Sequence, residues 1–283
     1  MRLRAGLAEQ SLHGDDRSLM DTGLGLFGVF DGVGSIPRSN EAAELAAEVI
    51  AGVCRSSSVP SLEALVAACH AAQEAIISKH LGATTATVAW VASNTLHYVS
   101  IGDSRLYLVG PRRLLQVTRD QGEGNRLDNV LGELPPPSYR SLTQQNGMLT
   151  VELGAKLVLV TDGITGDFRP DLLSLREIDL AVAGDDPQAA AENLVRVARK
   201  QDDRTAVVVF VDRTWPSQQT RSRPVLLDIS SRSQGRHTAH CPGERTQDRL
   251  RRGLHRRPRP PGAIVGDSLR LDLVSFANFG ECR

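Results

Sequence analysis

In GLFGVFDGVGS, residues 25–35, an apolar run fit for a buried strand stops on a carboxylate, Asp31, with Gly32 and Gly34 just beyond it. An unpaired buried carboxylate is costly, so an acid ending a core strand needs a cation, a ring of donors or water beside it. The same ending recurs in KLVLVTDG, residues 156–163, where Asp162 and Gly163 close a second apolar strand. Asp202 and Asp203 stand just before the apolar RTAVVVFV, residues 204–211, and Asp15 and Asp16 precede the strand that ends on Asp31. Four acidic positions therefore bracket core strands at their ends.

If those ends converge, like-charge repulsion forbids joint ionisation without counter-charge, and a hard divalent cation supplies it. Oxygen donors with no companion His or Cys favour Mg²⁺ or Mn²⁺ over zinc, and the glycine after each Asp leaves backbone carbonyls open to coordination. Such a cluster suits two metal ions bridged by one aspartate, with an acidified water between them as nucleophile. A single Asp-Gly is more often a turn after a strand; four acidic positions in this order set the chain apart.

The chain has 283 residues, 41% of them hydrophobic, enough for a substantial core. Lys plus Arg and Asp plus Glu both number 33, so the formal net charge is zero and bulk charge gives no reason to expect nucleic acid or an anionic membrane as partner. No apolar run approaches the roughly 18 residues of a membrane span. The opening MRLRAGLAEQ is not followed by the apolar segment of a secretory signal, so the expected compartment is the cytoplasm. Cys54, Cys69, Cys241 and Cys282 form no C-x-x-C pair, and Cys54 and Cys69 are expected as core-facing thiols in helices.

LGLFGVFD, residues 24–31, reads as a strand. NEAAELAAEVIAGVC (40–54) and SLEALVAACHAAQEAIISKH (61–80) carry apolar residues at helical spacing, with Asn40 and Ser61 as the expected caps. TTATVAWVA (84–92), TLHYVSIG (95–102), RLYLVG (105–110) and RLLQVT (113–118) are β-rich runs broken by turn residues, expected to form an antiparallel meander. KLVLVTDG and TAVVVFVD add two strands, with PQAAAENLVRVARKQ (187–201) a helix between them and Pro187 in its first turn. The grouping predicts an α+β fold, a four-layer α-β-β-α sandwich of two antiparallel sheets flanked by helices. After Asp212 come fourteen arginines, frequent Pro, Ser and Gln and no sustained periodicity, so residues 1–213 are expected as the domain and 214–283 as a disordered tail. In that tail His237, His240 and Cys241 lack the fourth partner of a structural zinc site.

The segments GDDRS (14–18), FDGVGS (30–35), GATTATVA (82–89), IGDSRLYLV (101–109), TRDQG (118–122), VTDGIT (160–165) and DDRTAVVVF (202–210) resemble, in this order, the signatures of the PP2C (PPM) type metal-dependent serine/threonine protein phosphatases. The resemblance covers nearly all of residues 9–212. It implies that Asp31 bridges two Mn²⁺ or Mg²⁺ ions, that Gly32 ligates through its carbonyl, and that Asp162 and Asp202 hold the second ion. Asp15 would act through waters of the first ion, and Asp120 in TRDQG matches a third, weaker site. Asp202 matches the family's Asp and Asp203 its Asn, aligned by Thr205, with a swap of ligand to Asp203 left open. The implied reaction is hydrolysis of phosphoserine or phosphothreonine on proteins by a dimetal-activated water, with Asp31, Asp162 and Asp202 as its catalytic core. The implied partners are phosphoprotein substrates and a Ser/Thr kinase or its targets. GDSR is expected to be structural, Gly102 and Asp103 shaping a turn and Arg105 pairing with an acid.

The sequence also departs from that family. Ser11 stands where many members carry an arginine that grips substrate phosphate, with His13 and Arg17 as the nearest substitutes. Val33 replaces the histidine of eukaryotic relatives, and the segment between TRDQG and NRLDNVLG is shorter than the usual helical flap. These departures motivate a second reading, a PP2C-like fold that binds phosphoproteins without turnover. A third, a lipase-like serine hydrolase using Ser104 of GDS, lacks an ordered downstream histidine. His70, His80, His97 and Trp90 read as packing residues.

Overall fold

The computed structural model describes residues 1–57, 59–111, 113–123, 126–134 and 144–212; the expected tail lies outside the described residues. The chain opens with β1 (Arg2–Gln10), β2 (Arg17–Asp21) and β3 (Leu26–Phe30), then passes through α1 (Ser39–Ser56) and α2 (Leu62–Ser78). Next come β4 (Ala83–Thr84), β5 (Ala86–Ala92), β6 (Thr95–Ile101), β7 (Arg105–Val109) and β8 (Leu114–Gln116). The short pieces β9 (Gly122–Glu123), β10 (Arg126–Leu127) and β11 (Leu131–Gly132) lead to β12 (Gln145–Thr150). β13 (Lys156–Val160), α3 (Asp162–Thr165), α4 (Leu175–Ala181), α5 (Pro187–Val197) and β14 (Arg204–Asp212) follow.

Two five-stranded antiparallel sheets result, ordered β1-β14-β13-β7-β8 and β12-β6-β5-β3-β2. Because side chains alternate along a strand, an apolar run can serve two cores at once. Phe27 and Val29 of β3 meet Leu157, Leu159, Val207 and Val209 of the other sheet. Their neighbours Leu26 and Phe30 turn outward onto α1 and α2. Val158, Ala206 and Val208 likewise face α4 and α5. Each fully buried Leu, Val or Phe contributes about 2 kcal/mol, so these three apolar layers hold together the expected α+β sandwich.

Local signals set the helix starts. Ser61 caps α2 by accepting the N–H of Ala64, and Asp186 caps α5 with Pro187 next to it. Asn40, expected as the cap of α1, lies inside that helix, which begins at Ser39. The hydroxyl of Ser39 donates to the Ile36 carbonyl, and Arg38 takes a left-handed backbone, φ 65°, with its guanidinium on Glu41. Cys54 of α1 and Cys69 of α2 are free thiols buried in the core, as expected. The expected meander divides instead: β5 and β6 pair in one sheet, β7 and β8 in the other, and the chain crosses between them at Gly102. β1 and β2 were not anticipated from the sequence; β1 is only partly buried at an edge, so its pattern is weak.

Strand register brings the acidic positions to one end of the sandwich. Gln10 pairs with Arg204 and Val160 with Ala206, which sets the ends of β1 and β13 beside the start of β14. Arg17 pairs with Phe30, so the start of β2 meets the end of β3. Residues 11–16 link the two sheets at that same end. Asp15, Asp31, Asp162 and Asp202 all follow or precede these strand ends.

Candidate metal centre

A cavity of about 390 Å³ opens at that end, with Asp15, Asp31, Gly32, Asp162 and Asp202 in its lining. Each acid is placed by a different local device. Asp31 is held through its backbone: its N–H donates to the Thr85 hydroxyl at 3.0 Å, and its carbonyl accepts the Thr85 N–H at 2.8 Å and the Thr84 hydroxyl at 3.0 Å. The two threonines of GATTAT thus clamp the end of β3. A Cβ on Gly32 would fall 2.9 Å from the carbonyl oxygens of Asp15 and Ser39, so only glycine fits there. At Gly163 a Cβ would overlap the Asp203 carbonyl at 1.8 Å, so Asp162 sits on a turn that only glycine closes against β14.

Asp203, which lines the cavity, and Asp16, which does not, anchor the 11–16 link that carries Asp15. The Asp203 carboxylate accepts the backbone N–H groups of Leu12, of His13 at 2.6 Å, of Gly14 at 2.7 Å, of Asp15 at 2.6 Å and of Asp16 at 3.4 Å. Burial alone would raise its pKa, but those N–H groups outweigh burial and hold it below the usual range. Both Asp203 oxygens are thus committed to the loop, whereas Asp202 faces the cavity and the Lys200 ammonium. Asp16 accepts the hydroxyls of Thr161 at 2.9 Å and Thr205 at 2.8 Å through one oxygen.

The floor carries an excess of negative charge. Burial, and then the charges of Asp162, Asp16 and Asp103, push Asp31 well above the usual carboxylate range. Burial, and then the charges of Asp162, Asp120 and Asp167, raise Asp103 to about 7, and burial lifts Asp15 as well. Buried Oδ1 atoms of Asp162 and Asp16 have no hydrogen-bond partner. An all-oxygen donor set, an orphaned ligand atom and repelling carboxylates fit a hard divalent ion.

One cation is already present. Lys200 extends its ammonium to Asp162, to Asp167 at 3.0 Å and to Asp202 at 3.0 Å. Burial opposes its charge, yet Asp162 and then the other two acids carry its pKa above the usual lysine range. Sequence placed Lys200 inside a helix reaching residue 201; α5 ends at Val197, where Ala198 turns extended, so Lys200 lies on the link into β14. Its position two residues before Asp202 was the available signal.

Asp120, expected at a third site, is absent from this lining. Both its oxygens accept from the Arg105 guanidinium, at 2.9 and 2.6 Å, and this pair withdraws it from the cavity. Asp103, expected only to shape a turn, does line the cavity and groups with Asp162 and Asp167, ligand atoms within 4.8 Å of one another. Arg105 pairs with an acid as expected. Of the two candidate phosphate grips, His13 is exposed and lines the cavity, whereas Arg17 donates to the carbonyls of Gly14 and Asp16. Ser104 is buried against the Thr85 hydroxyl at 2.8 Å, which removes it as a nucleophile. No helix among the described residues is long and apolar enough to cross a membrane.

Comparison with known proteins agrees with this geometry. Solved structures with the same fold include the catalytic domain of the serine/threonine phosphatase PstP in complex with two manganese ions (23% identity, TM-score 0.62), covering 75% of this chain and 99% of that one. Stp1 from Staphylococcus aureus matches at 15% identity and TM-score 0.64, covering 75% and 96%. PppA, a regulatory component of T6SS in Pseudomonas aeruginosa, matches at 20% and 0.62, covering 74% and 98%. None of the curated proteins matches the sequence. At these identities the structures speak to the fold alone. The family described as protein phosphatase 2C matches residues 7–197, about two thirds of the sequence, and with the acidic cavity at the strand ends this shows that the chain belongs to the protein phosphatase 2C family of serine/threonine phosphatases.

Proposed function

We propose that the chain hydrolyses phosphoserine and phosphothreonine esters on proteins, using two Mn²⁺ or Mg²⁺ ions. The observation that carries this reading is the meeting of Asp15, Asp31, Gly32, Asp162 and Asp202 in one cavity, from segments spread over nearly 190 residues. Asp31 and the Gly32 carbonyl would hold one ion, with Asp15 beside it, and Asp31, Asp162 and Asp202 the other. Asp103, Asp162 and Asp167 form the group suited to a third, in place of Asp120. Bound there, the ions supply an acidified water as nucleophile and positive charge for the phosphoryl oxygens.

The protein's own contribution is placement. Thr84 and Thr85 fix the Asp31 backbone, Asp203 gathers the N–H groups of the 11–16 link, and His13 stands at the rim where a phosphate approaches. The open cavity suits a phosphorylated side chain on a protein surface. Residues 1–213 are the phosphatase domain in this reading, its place of work the cytoplasm and its companions Ser/Thr kinases and their targets. Phosphate release from a phosphothreonine peptide tests it. Release should require added Mn²⁺ or Mg²⁺ and fall by at least about a hundredfold in Asp31→Asn. Activity that survives complete chelation would overturn it.

A second reading, a phosphoprotein-binding module without turnover, is favoured by Ser11 at the grip position and by the Lys200 ammonium among the carboxylates. Metal binding with no hydrolysis, unchanged by Asp31→Asn, would decide for it.

A further inference from the structure

The carboxylates of Asp162, Asp167 and Asp202 converge on a single ammonium, that of Lys200. The side chain is mostly shielded, 21% exposed, and its acid partners Asp162 and Asp167 are more so, at 15% and 11%. This is no loose surface pair. The backbone of Lys200 is also fixed, since its carbonyl accepts the Arg204 guanidinium twice, at 3.2 and 2.7 Å. Arg204 opens β14, so the lysine stem starts from a rigid strand end and reaches into the acid cluster.

Two of the three acids it touches, Asp162 and Asp202, are the residues read above as ligands of the second divalent ion. The ammonium sits on the Oδ2 atoms of Asp162 and Asp202, so a divalent ion held by the same two carboxylates, even through the unpartnered Oδ1 of Asp162, would stand within a few ångströms of it, where their repulsion in a partly buried site exceeds thermal energy many times over. Either cation relieves the repulsion among the carboxylates, and one must leave for the other to enter. The four-carbon stem makes that exchange feasible without moving the backbone.

We propose that Lys200 is a tethered counter-ion: it partly offsets the charge of the Asp162–Asp167–Asp202 cluster in the metal-free protein and competes directly with the divalent ion, lowering metal affinity at that site. The proposal rests on the metal-centre reading and assigns Lys200 a role that reading does not need. Its consequence is an apo protein whose acid cluster is partly relieved of repulsion and whose loading depends on the divalent ion outcompeting an intramolecular rival.

Calorimetric titration of the full chain with Mn²⁺ tests it. Lys200→Met keeps the stem and removes the charge, so it should bind Mn²⁺ about tenfold more tightly than wild type. Lys200→Arg, which keeps the charge, should stay near wild type. Equal or weaker binding by Lys200→Met would overturn the proposal. A second measurement needs no variant. The chain has only three lysines, Lys79, Lys156 and Lys200, so their ¹³Cε signals can be followed separately during a Mg²⁺ titration of wild type. One lysine signal, absent in Lys200→Met or Lys200→Arg spectra, should move with metal occupancy while the other two stay. Metal binding with all three signals unmoved sinks the tethered counter-ion alone. No divalent binding by wild type or Lys200→Met sinks the metal centre too, whereas binding by Lys200→Met only supports the proposal in its strongest form.

Discussion

The carboxylate of Asp16 accepts the hydroxyl of Thr205 at 2.8 Å, joining residues 189 positions apart. This bond, with its companion from Thr161, ties the 11–16 link to β13 and β14 and so fixes one wall of the cavity. Thr205 is fully buried. Thr205→Val keeps the shape and removes the donor, leaving a buried acid short of a partner, which costs about 1–3 kcal/mol. Thermal unfolding should show a lower midpoint than wild type; an unchanged midpoint would mean the bond is idle.

Asp203 performs the companion task from the other side, gathering five consecutive backbone N–H groups. Asp203→Ala strands those donors and frees the loop that carries Asp15. A loss of about 3 kcal/mol is expected, with weaker Mn²⁺ binding by calorimetry. Retention of both stability and affinity would contradict the role given to this residue.

At Gly163 the next backbone strand leaves no room for a methyl group. Gly163→Ala must displace either α3 or the start of β14, at a cost of about 3 kcal/mol or more. Chemical denaturation should register that loss. A well-folded Gly163→Ala protein of wild-type stability would show that the two segments lie farther apart than described.

The acid cluster gives the metal-free protein a definite pH response. Burial, then neighbouring carboxylates, raises Asp103 to about 7. Burial, partly offset by the hydroxyls of Thr205 and Thr161, raises Asp16 to about 7. A folded-state pKa above the unfolded value means that the folded protein holds more protons, so stability falls as pH rises from about 4 through 7. In chelator, the urea midpoint should therefore be higher at pH 5.5 than at pH 8, and saturating Mn²⁺ should narrow the gap. A midpoint that rises over this interval would show that these acids are not held protonated by the fold.

Much of this architecture was legible because the strongest signals are local and periodic. Phe27 and Val29 alternate with Leu26 and Phe30, and such a run can be satisfied only between two apolar layers. Asp31 and Asp162 were visible as acids that end such runs. What stayed hidden depends on contacts between distant segments. Asp103 and Asp120 both follow turn-like sequence, and only the folded chain separates them: Asp103 lines the cavity, while Asp120, paired with Arg105, lies outside its lining. Lys200 read as one more helical residue because nothing nearby in sequence marks the end of α5 at Val197. β1 escaped notice because an edge strand that is half-exposed needs no apolar alternation.

The most direct test is anomalous diffraction at the manganese edge from crystals grown with Mn²⁺. The account predicts peaks inside the cavity, one contacting Asp31 and the Gly32 carbonyl and another contacting Asp31, Asp162 and Asp202. Saturating Mn²⁺ with no peak among those residues, and the Lys200 ammonium still seated on Asp162, would contradict it.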